Sequence, residues 1–378
     1  MKKQVLSLAV LATGIALVTA CSSNDDETPD KKAVNVANGL FLVGSGNTRA
    51  GIDGNLSYID YAKGSVTANA FKTANGKSLG KTANHVVSYG SKLYIVVDQE
   101  NTIWVCDKAT LKVQQQLSTL TLIGQTNGRS PRSAVAHDGM IYVSCYGASL
   151  DGAVGTVAAI DTVGFKVANQ YTVGSYPDGL TINGSRLYVA NSDYGNGVNP
   201  SVSVINLTDN SVSLLKHEAI TNPMHMLTVN GAVYCLDYGT YDENWNQVGA
   251  GVRRIATDGT LTKVIDATAI GTDGERILTV YAPFGAATTT YGIYDTATNI
   301  ASTWQLSGID SPAMIAADPV TKHVFVVSYQ MNADTGYPAY NMPSYINEYD
   351  AKGTFVKKYE NTATGPISID FNTGVKYE

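Results

Sequence analysis

Residues 177–193 read PDGLTINGSRLYVANSD: a proline, a short apolar run, an Asn-Gly turn and a second apolar run. Two later stretches have the same pattern, PMHMLTVNGAVYCLDYG at 223–239 and PAMIAADPVTKHVFVVS at 312–328. The opening prolines recur at intervals of 46, 46, 89 and 54 residues, at Pro131, Pro177, Pro223, Pro312 and Pro366. A repeat of about 40 to 50 residues built from short strands is typical of one propeller blade.

The repeats predict an all-β protein, a seven-bladed β-propeller of four-stranded antiparallel blades. Six blades are expected at residues 84–120, 132–173, 177–215, 223–267, 268–306 and 312–359. Within 177–215 the expected strands, from the inside outward, are 179–182, 186–191, 201–205 and 211–215. The innermost strand of 268–306 is degenerate, which leaves six or eight blades open.

The two chain ends complement each other and predict the seventh blade. Residues 366–370 read as an inner strand with no partners after it. Residues 39–44, 57–61 and 65–70 read as three outer strands with no inner strand before them. Joining them closes the ring and leaves no exposed inner sheet edge.

The composition favours a well-packed domain, with 44% hydrophobic and 15% charged residues. The net charge of −6 argues against nucleic acid or an anionic membrane surface as a partner. Cys106, Cys145 and Cys235 lie in strand-like runs whose spacing fits no zinc motif, so we predict buried thiols and no metal site.

The N-terminus is predicted to be a targeting segment. Lys2 and Lys3 precede an apolar run at 5–18, and small residues lead to Cys21, as in a signal peptide. The sequence LVTAC at 17–21 resembles the bacterial lipobox, which implies a signal peptide at 1–20 and lipidation of Cys21. We expect a lipidated, disordered tether at 21–37 and the propeller at 38–378.

The acidic residues at 25–27 resemble the surface-export signal of Bacteroidetes lipoproteins. That resemblance implies a lipid-anchored protein of the bacterial outer membrane, exposed at the cell surface. The alternative is a solvated linker facing the periplasm.

The loops differ between the two faces of the expected ring. Turns joining first to second and third to fourth strands are short, whereas loops joining second to third strands are long and rich in aromatic residues. Long loops are often functional, and aromatic side chains are common in recognition surfaces. We therefore predict ligand-binding residues at Tyr146, Tyr194, Tyr238, Tyr241, Trp245, Phe284, Tyr329, Tyr337 and Tyr340. Mutual packing of the tyrosines is the alternative.

The residues that follow the opening prolines are expected at the channel mouth on the same face. They add Arg132, Asp178 and His225 to the predicted ligand site, although such groups also satisfy backbone and water in a channel. The segment 193–196 is read as a turn rather than a calcium loop.

The segments RLYVAN at 186–191 and SVSVIN at 201–206 are similar to the YVTN repeat of YncE-like propellers. With the lipobox and the acidic tether, the chain resembles the surface lipoprotein propellers of gut Bacteroidetes, such as the BtuG cobalamin-capture type. The resemblance implies a corrinoid ligand held on one face, without any other cofactor, beside a TonB-dependent outer-membrane transporter.

Three functions remain open. The first is a non-enzymatic protein that captures a small ligand and passes it to a transporter. The second is a carbohydrate-binding accessory lipoprotein of a glycan-uptake system. The third is a propeller lactonase or lyase, which would need convergent carboxylates, and the channel mouth offers Asp178 and Asp310. No catalytic residue is assigned, because no hydrolase, zinc-protease or phosphate-binding motif is present.

Overall fold

Each repeat folds as a four-stranded antiparallel sheet, and seven such sheets form a closed propeller. The structure is a computed structural model that describes residues 32–286 and 288–377. The seven-bladed architecture predicted from the repeats is confirmed. We number the blades 1 to 7 by the chain order of their innermost strands, so that the blade shared by both chain ends is blade 7.

The strands of blades 7, 1 and 2 come first in the chain. Blade 7 begins with its outer strands, β1 (Ala33–Gly44), β2 (Asn55–Asp60) and β3 (Ser65–Thr67). Blade 1 contains β4 (Ala83–Tyr89), β5 (Lys92–Val97), β6 (Thr102–Asp107) and β7 (Val113–Ser118). Blade 2 contains β8 (Pro131–His137), β9 (Met140–Cys145), β10 (Gly155–Asp161) and β11 (Val167–Val173).

Blades 3 and 4 occupy the middle of the chain. Blade 3 contains β12 (Pro177–Asn183), β13 (Arg186–Asn191), β14 (Ser201–Asn206) and β15 (Val212–Leu215). Blade 4 begins with β16 (Pro223–Val229) and β17 (Ala232–Asp237). A separate hairpin of β18 (Thr240–Tyr241) and β19 (Gln247–Val248) interrupts it before β20 (Gly251–Ile255) and β21 (Leu261–Ile265).

The remaining strands complete the ring. Blade 5 contains β22 (Ala269–Thr272), β23 (Arg276–Tyr281), β24 (Thr290–Asp295) and β25 (Ile300–Trp304). Blade 6 contains β26 (Ser311–Ala317), β27 (Val324–Tyr329), β28 (Tyr345–Tyr349) and β29 (Phe355–Tyr359). Strand β30 (Pro366–Tyr377) is the innermost strand of blade 7. Short helices α1 (Ala70–Asn75) and α2 (Thr119–Leu122) lie between blades.

The core lies between neighbouring blades. In β5, Leu93 and Ile95 pack in the cluster shared with blade 7, whereas Tyr94 and Val96 pack in the cluster shared with blade 2. All four side chains are buried, because successive residues of a strand point to opposite faces of the sheet. An apolar strand of this kind therefore needs a neighbouring blade on each side.

Blade 7 closes the ring as predicted, but its strands are longer than the sequence indicated. Strand β1 pairs with β30 from Ala33 to Gly44, so residues 33–37, assigned to the tether, are paired in the sheet. Strand β30 runs on to Tyr377, beyond residue 370, because its partner β1 continues. The strand expected at 65–70 ends at Thr67, and α1 begins at Ala70. Residues 1–31, including the signal peptide and Cys21, lie outside the described residues.

The described residues also bear on thiols, membrane spans and metal sites. Cys106, Cys145 and Cys235 are buried free thiols, as predicted. No helix among residues 32–286 and 288–377 is long and apolar enough to span a membrane. Within the same ranges, no group of three or more His, Cys, Asp or Glu side chains is placed to hold a metal ion.

Candidate ligand-binding site at the mouth of the central channel

The inner strands of all seven blades line a central cavity of about 480 Å³. This volume is within the range of small-molecule sites, roughly 300 to 1,000 Å³. The residue that follows each blade-opening position contributes to the lining: Asn84, Arg132, Asp178, Met224, Ala269, Ala313 and Ile367. The sequence placed Arg132, Asp178 and His225 near this channel, and all three side chains line it.

Bulges in the inner strands bring these residues to the channel mouth. The register with the second strand shifts directly after the opening residue in six blades, for example between Pro177 and Leu180 in β12. A bulge leaves one residue unpaired and bends the strand, so the side chain is re-aimed. The same register shift therefore gives Arg132 and Asp178 equivalent positions in neighbouring blades.

A buried network of charged and hydrogen-bonded side chains crosses the mouth from blade 1 to blade 3. Arg132 Nη1 donates to Asp98 Oδ2 at 2.7 Å, and Arg132 Nη2 lies 3.5 Å from Asp178 Oδ2. Tyr146 donates its hydroxyl to Asp178 Oδ2 at 3.0 Å, and its ring lies 4.7 Å from the Arg132 guanidinium carbon. Ser130 also donates to Asp98. The guanidinium is thus held by two carboxylates and one aromatic face.

These contacts shift the ionisation of the group. Burial alone would lower the pKa of Arg132, but Asp178, Tyr146 and Asp98 outweigh it, and the guanidinium pKa stays above its usual value. Burial and the neighbouring Asp178 charge raise the pKa of the Tyr146 hydroxyl. At neutral pH the Arg132 guanidinium is therefore a fixed cation, and the Tyr146 hydroxyl keeps its proton.

His225 and Tyr238 form the next part of the wall. Tyr238 Oη lies 3.3 Å from His225 Nε2, and the two ring centroids are 6.0 Å apart. Blade 4 packs directly against Gly179, next to Asp178. A Cβ at residue 179 would lie 2.8 Å from His225 Cα, so this close packing requires a glycine. His225 is surrounded by protein but open to the channel; burial lowers its pKa, Asp178 partly opposes this, and Arg132 adds to it.

Two predicted aromatic residues of blades 2 and 3 pack around a third that the sequence did not single out. Tyr146 and Tyr194 have centroids 6.5 Å apart, and Tyr176 lies 4.9 Å from Tyr146 and 5.2 Å from Tyr194. Tyr146 is buried, whereas Tyr194 is largely exposed. In the turn at 193–196, Asp193 Oδ2 accepts backbone N–H bonds from Val198 and Asn199, both at 2.9 Å. It therefore organises the loop.

Tyr241, Trp245 and Phe284 form a second aromatic group. The hairpin of β18 and β19 carries Tyr241, whose centroid lies 6.4 Å from both Trp245 and Phe284. Gln247 connects the hairpin to the blade 5 loop, donating its backbone N–H to Phe284 O at 2.9 Å and accepting from Phe284 N at 3.2 Å. All three rings are more than half exposed, so the connected loops present them to solvent.

The blade 6 loop carries the remaining predicted residues. Tyr329 and Tyr340 meet edge to face with centroids 4.9 Å apart. Tyr340 O accepts from Asn47 Nδ2 of the blade 7 loop at 3.3 Å, which ties the two loops together. Tyr337 is exposed on the same loop. The structure thus places eight of the nine predicted aromatic residues in three groups on one face, whereas Tyr238 lies apart, against His225.

Several residues of the site were missed by sequence reasoning. Asp98 follows β5, and its segment VVDQEN reads as an ordinary turn, yet it occupies the repeat position of Tyr146 after β9. His85 lies one residue beyond Asn84, and its Nδ1 is buried without a hydrogen-bond partner among the described residues. Aligning the repeats on the residue after each second strand would have identified Asp98. Asp310, in contrast, lies against Tyr345, which donates to its Oδ2 at 2.8 Å, and does not line the channel.

A family model, described as a domain of unknown function (DUF5074), matches residues 38–235 of the chain. The chain belongs to the DUF5074 family. The match covers blades 1 to 3, part of blade 7 and the start of blade 4. No curated protein matches the chain.

Solved structures show how this DUF5074 chain relates to other propellers. A quinonprotein alcohol dehydrogenase-like protein from Bacteroides thetaiotaomicron is 14% identical with a TM-score of 0.57, covering 89% of this chain and 79% of its own. A proposed 6-phosphogluconolactonase from Bacteroides fragilis is 15% identical with a TM-score of 0.55, covering 92% and 100%. Another from Bacteroides uniformis is 12% identical with a TM-score of 0.57, covering 88% and 99%. At these identities the likeness shows the fold alone.

Proposed function

We propose that this protein is a surface lipoprotein that binds a small ligand at the channel mouth and passes it to a transporter. The main support for this proposal is a set of six aromatic side chains, each more than half exposed, on the loops that surround the polar channel mouth: Tyr194, Tyr241, Trp245, Phe284, Tyr337 and Tyr340. Exposed aromatic groups beside a cavity combine large contact area with a small entropy cost on binding.

The direction of the chain supports capture from outside. Strand β1 is the second strand of blade 7, so it starts on the short-turn face and ends at Gly44 on the long-loop face. A lipid anchor at Cys21 would therefore join the propeller at the face opposite the aromatic loops. The 12 residues from Cys21 to Lys32 reach at most about 40 Å when extended. This length lets the mouth face away from the membrane.

The ligand class that we propose first is a corrinoid such as cobalamin, with a TonB-dependent outer-membrane transporter as the partner. The support is the resemblance to surface-lipoprotein propellers at the lipobox, the acidic residues 25–27 and the YVTN-like strands. A broad face with three aromatic groups also suits a ligand larger than the channel itself.

Carbohydrate binding is the second candidate. Tyr241, Trp245 and Phe284 are presented to solvent as neighbouring rings on connected loops, and exposed rings of this kind stack on sugars. An accessory role in glycan uptake would use the same face and the same anchor.

Titration calorimetry on the lipid-free protein, residues 22–378, tests both classes. We expect saturable heat with cobalamin and none with a panel of neutral oligosaccharides. Heat with an oligosaccharide alone would replace the first ligand class by the second. Absence of heat with both would overturn both proposed ligand classes.

A further inference from the structure

The channel wall is divided into a polar arc and an apolar arc. Blades 1 to 4 contribute the polar arc, in which Asn84, His85, Arg132, Ser133, Asp178 and His225 lie beside apolar residues such as Leu180 and Met226. Blades 5 to 7 contribute the mostly apolar arc, in which Ile270, Met314 and Ile367 line the cavity beside the small residues Ala269 and Ala313, and Thr272 and Ser368 are its polar members. A wall of this kind matches a group with one polar edge and one apolar face.

The polar arc offers one carboxylate oxygen for a ligand. Asp178 Oδ2 is occupied by Tyr146 Oη at 3.0 Å and faces Arg132 Nη2 at 3.5 Å. Within residues 32–286 and 288–377, no group donates a hydrogen bond to Asp178 Oδ1, and this oxygen is not among the buried unpaired atoms. It is therefore open to the cavity and held in place by the contacts of its partner oxygen.

The charge of the arc favours donors over anions. The single guanidinium of Arg132 faces two carboxyl groups, Asp98 and Asp178. These three side chains together carry a formal net charge of −1. Burial lowers the pKa of His85 to about 4, and it also lowers the pKa of His225, so neither ring adds positive charge at neutral pH. An anionic group in this cavity would meet Asp178 without a free cation to balance it.

We infer that the channel is a specificity subsite for an uncharged or cationic nitrogen group on a flat apolar body, and that it rejects carboxylates of the same shape. The N–H groups bind Asp178 Oδ1, and the apolar body lies on Ile270, Met314 and Ile367. This inference rests on the proposed function, because it concerns the part of a captured ligand that enters the channel below the aromatic loops.

Three probes of one shape test the inference on residues 22–378: benzamide, benzamidine and benzoate. Ligand-observed NMR is used to measure each dissociation constant at pH 7. We expect benzamide and benzamidine to bind at least about tenfold more tightly than benzoate, since one hydrogen bond to a charged group supports this difference. Benzoate binding as tightly as the other two, or no binding by any probe, would overturn the inference.

Two variants assign the site. Asp178→Asn removes the charge and is expected to abolish the preference of benzamidine over benzoate. Ala313→Trp fills the apolar arc and is expected to abolish all probe binding, with Asp178 unchanged. Asp138→Asn, in an exposed turn on the opposite face, is the matched control and retains the preference. Thermal melting checks that each variant folds, and charge preference that survives in folded Asp178→Asn would overturn the inference.

The test separates this inference from the capture function. Selective probe binding without cobalamin or oligosaccharide binding would support the subsite and overturn the proposed ligands. Ligand capture with unselective probes would support the function and overturn the subsite.

Discussion

Arg132 Nη2 lies 3.5 Å from Asp178 Oδ2, which joins blade 2 to blade 3 at the channel mouth. Both side chains are mostly buried, and the same guanidinium binds Asp98 of blade 1 at 2.7 Å. Removing the guanidinium would leave two buried carboxylates without their shared cation. This bridge therefore links the stability of the ring to the polarity of the mouth.

Arg132→Met is expected to destabilise the fold by about 3 kcal/mol, because breaking a buried ion pair leaves uncompensated charge. Urea unfolding followed by circular dichroism measures the change. Arg129→Met is the matched control, because Arg129 pairs with Asp151 at 2.8 Å while their side chains are 38% and 59% exposed. We expect about 0.5 kcal/mol for this exposed pair. Equal losses in the two variants would contradict a structural role for the bridge.

His85 predicts a dependence of stability on pH. Burial, with a smaller contribution from His225, lowers the pKa of His85 from 6.5 to about 4, and Asp178 partly opposes this. Between these values the unfolded chain binds a proton that the folded chain does not, so stability falls as the pH decreases from 6.5 to 4. Between pH 7 and pH 4.5, the free energy of unfolding of His85→Gln is expected to fall by about 2 kcal/mol less than that of the parent protein.

Urea unfolding at both pH values measures this difference. His137→Gln, the same substitution at the end of β8 on the opposite face, controls for the change of side chain. Parallel profiles of stability against pH for the parent and His85→Gln would show that burial does not keep the His85 imidazole neutral.

Ring closure predicts unequal effects of trimming the two ends. Removing residues 366–378 deletes the inner strand of blade 7 and exposes β1, whose Leu40 and Leu42 are fully buried. Removing residues 22–31 leaves every described strand intact. We expect the first truncation to lower the thermal midpoint strongly or prevent folding, and the second to leave it unchanged. Similar midpoints would contradict the shared blade.

The fold was predictable because its signals are local and repeated. Tight turns that contain a residue of positive φ, such as Asn230-Gly231, and the alternating apolar strands recur in nearly every blade. The extension of β1 from Ala33 was not predicted, because residues 33–37 are half-buried or exposed and their apolar alternation consists of Val34 and Val36 alone. Only pairing with β30, more than 300 residues away, orders them.

The site was predictable only in part, because it depends on which side chains the fold brings into contact. The position after an opening proline predicted Arg132 and Asp178, because a repeat places equivalent residues around one ring. The partner Asp98 was missed because it comes from a different repeat position, after the second strand of blade 1. Tyr176 was missed because its role depends on a positive φ of 51°, which a tyrosine seldom adopts.

The proposed lipid anchor and export signal predict where the protein is found in cells. Cys21→Ala is expected to abolish acylation and leave the protein soluble or unprocessed, as measured by metabolic labelling with a fatty acid.

Alanine at Asp25, Asp26 and Glu27 is expected to retain the protein in the periplasm. Protease treatment of intact cells measures exposure. Resistance of the parent protein, while other surface proteins are cut, would contradict surface export.

The last prediction concerns the exposed aromatic residues. Alanine at Tyr241, Trp245, Tyr337 or Tyr340 is expected to weaken ligand binding by about 2 kcal/mol, or roughly thirtyfold, with little loss of stability. The stability should be retained because these four side chains are more than half exposed and bury little area in the fold. Calorimetry with the ligand identified in the first titration measures the change.

Lys92→Ala and Asp258→Ala on the short-turn face are the controls, and both are expected to bind as the parent does. If all four aromatic variants bind normally and Arg132→Met or Asp178→Asn does not, recognition lies in the channel rather than on the loops. Polar groups would then carry the affinity, and the aromatic loops would serve only to pack against one another. A search for lactonase or lyase activity would follow from that result, because it would place the reactive part of the ligand beside Asp178 and His225.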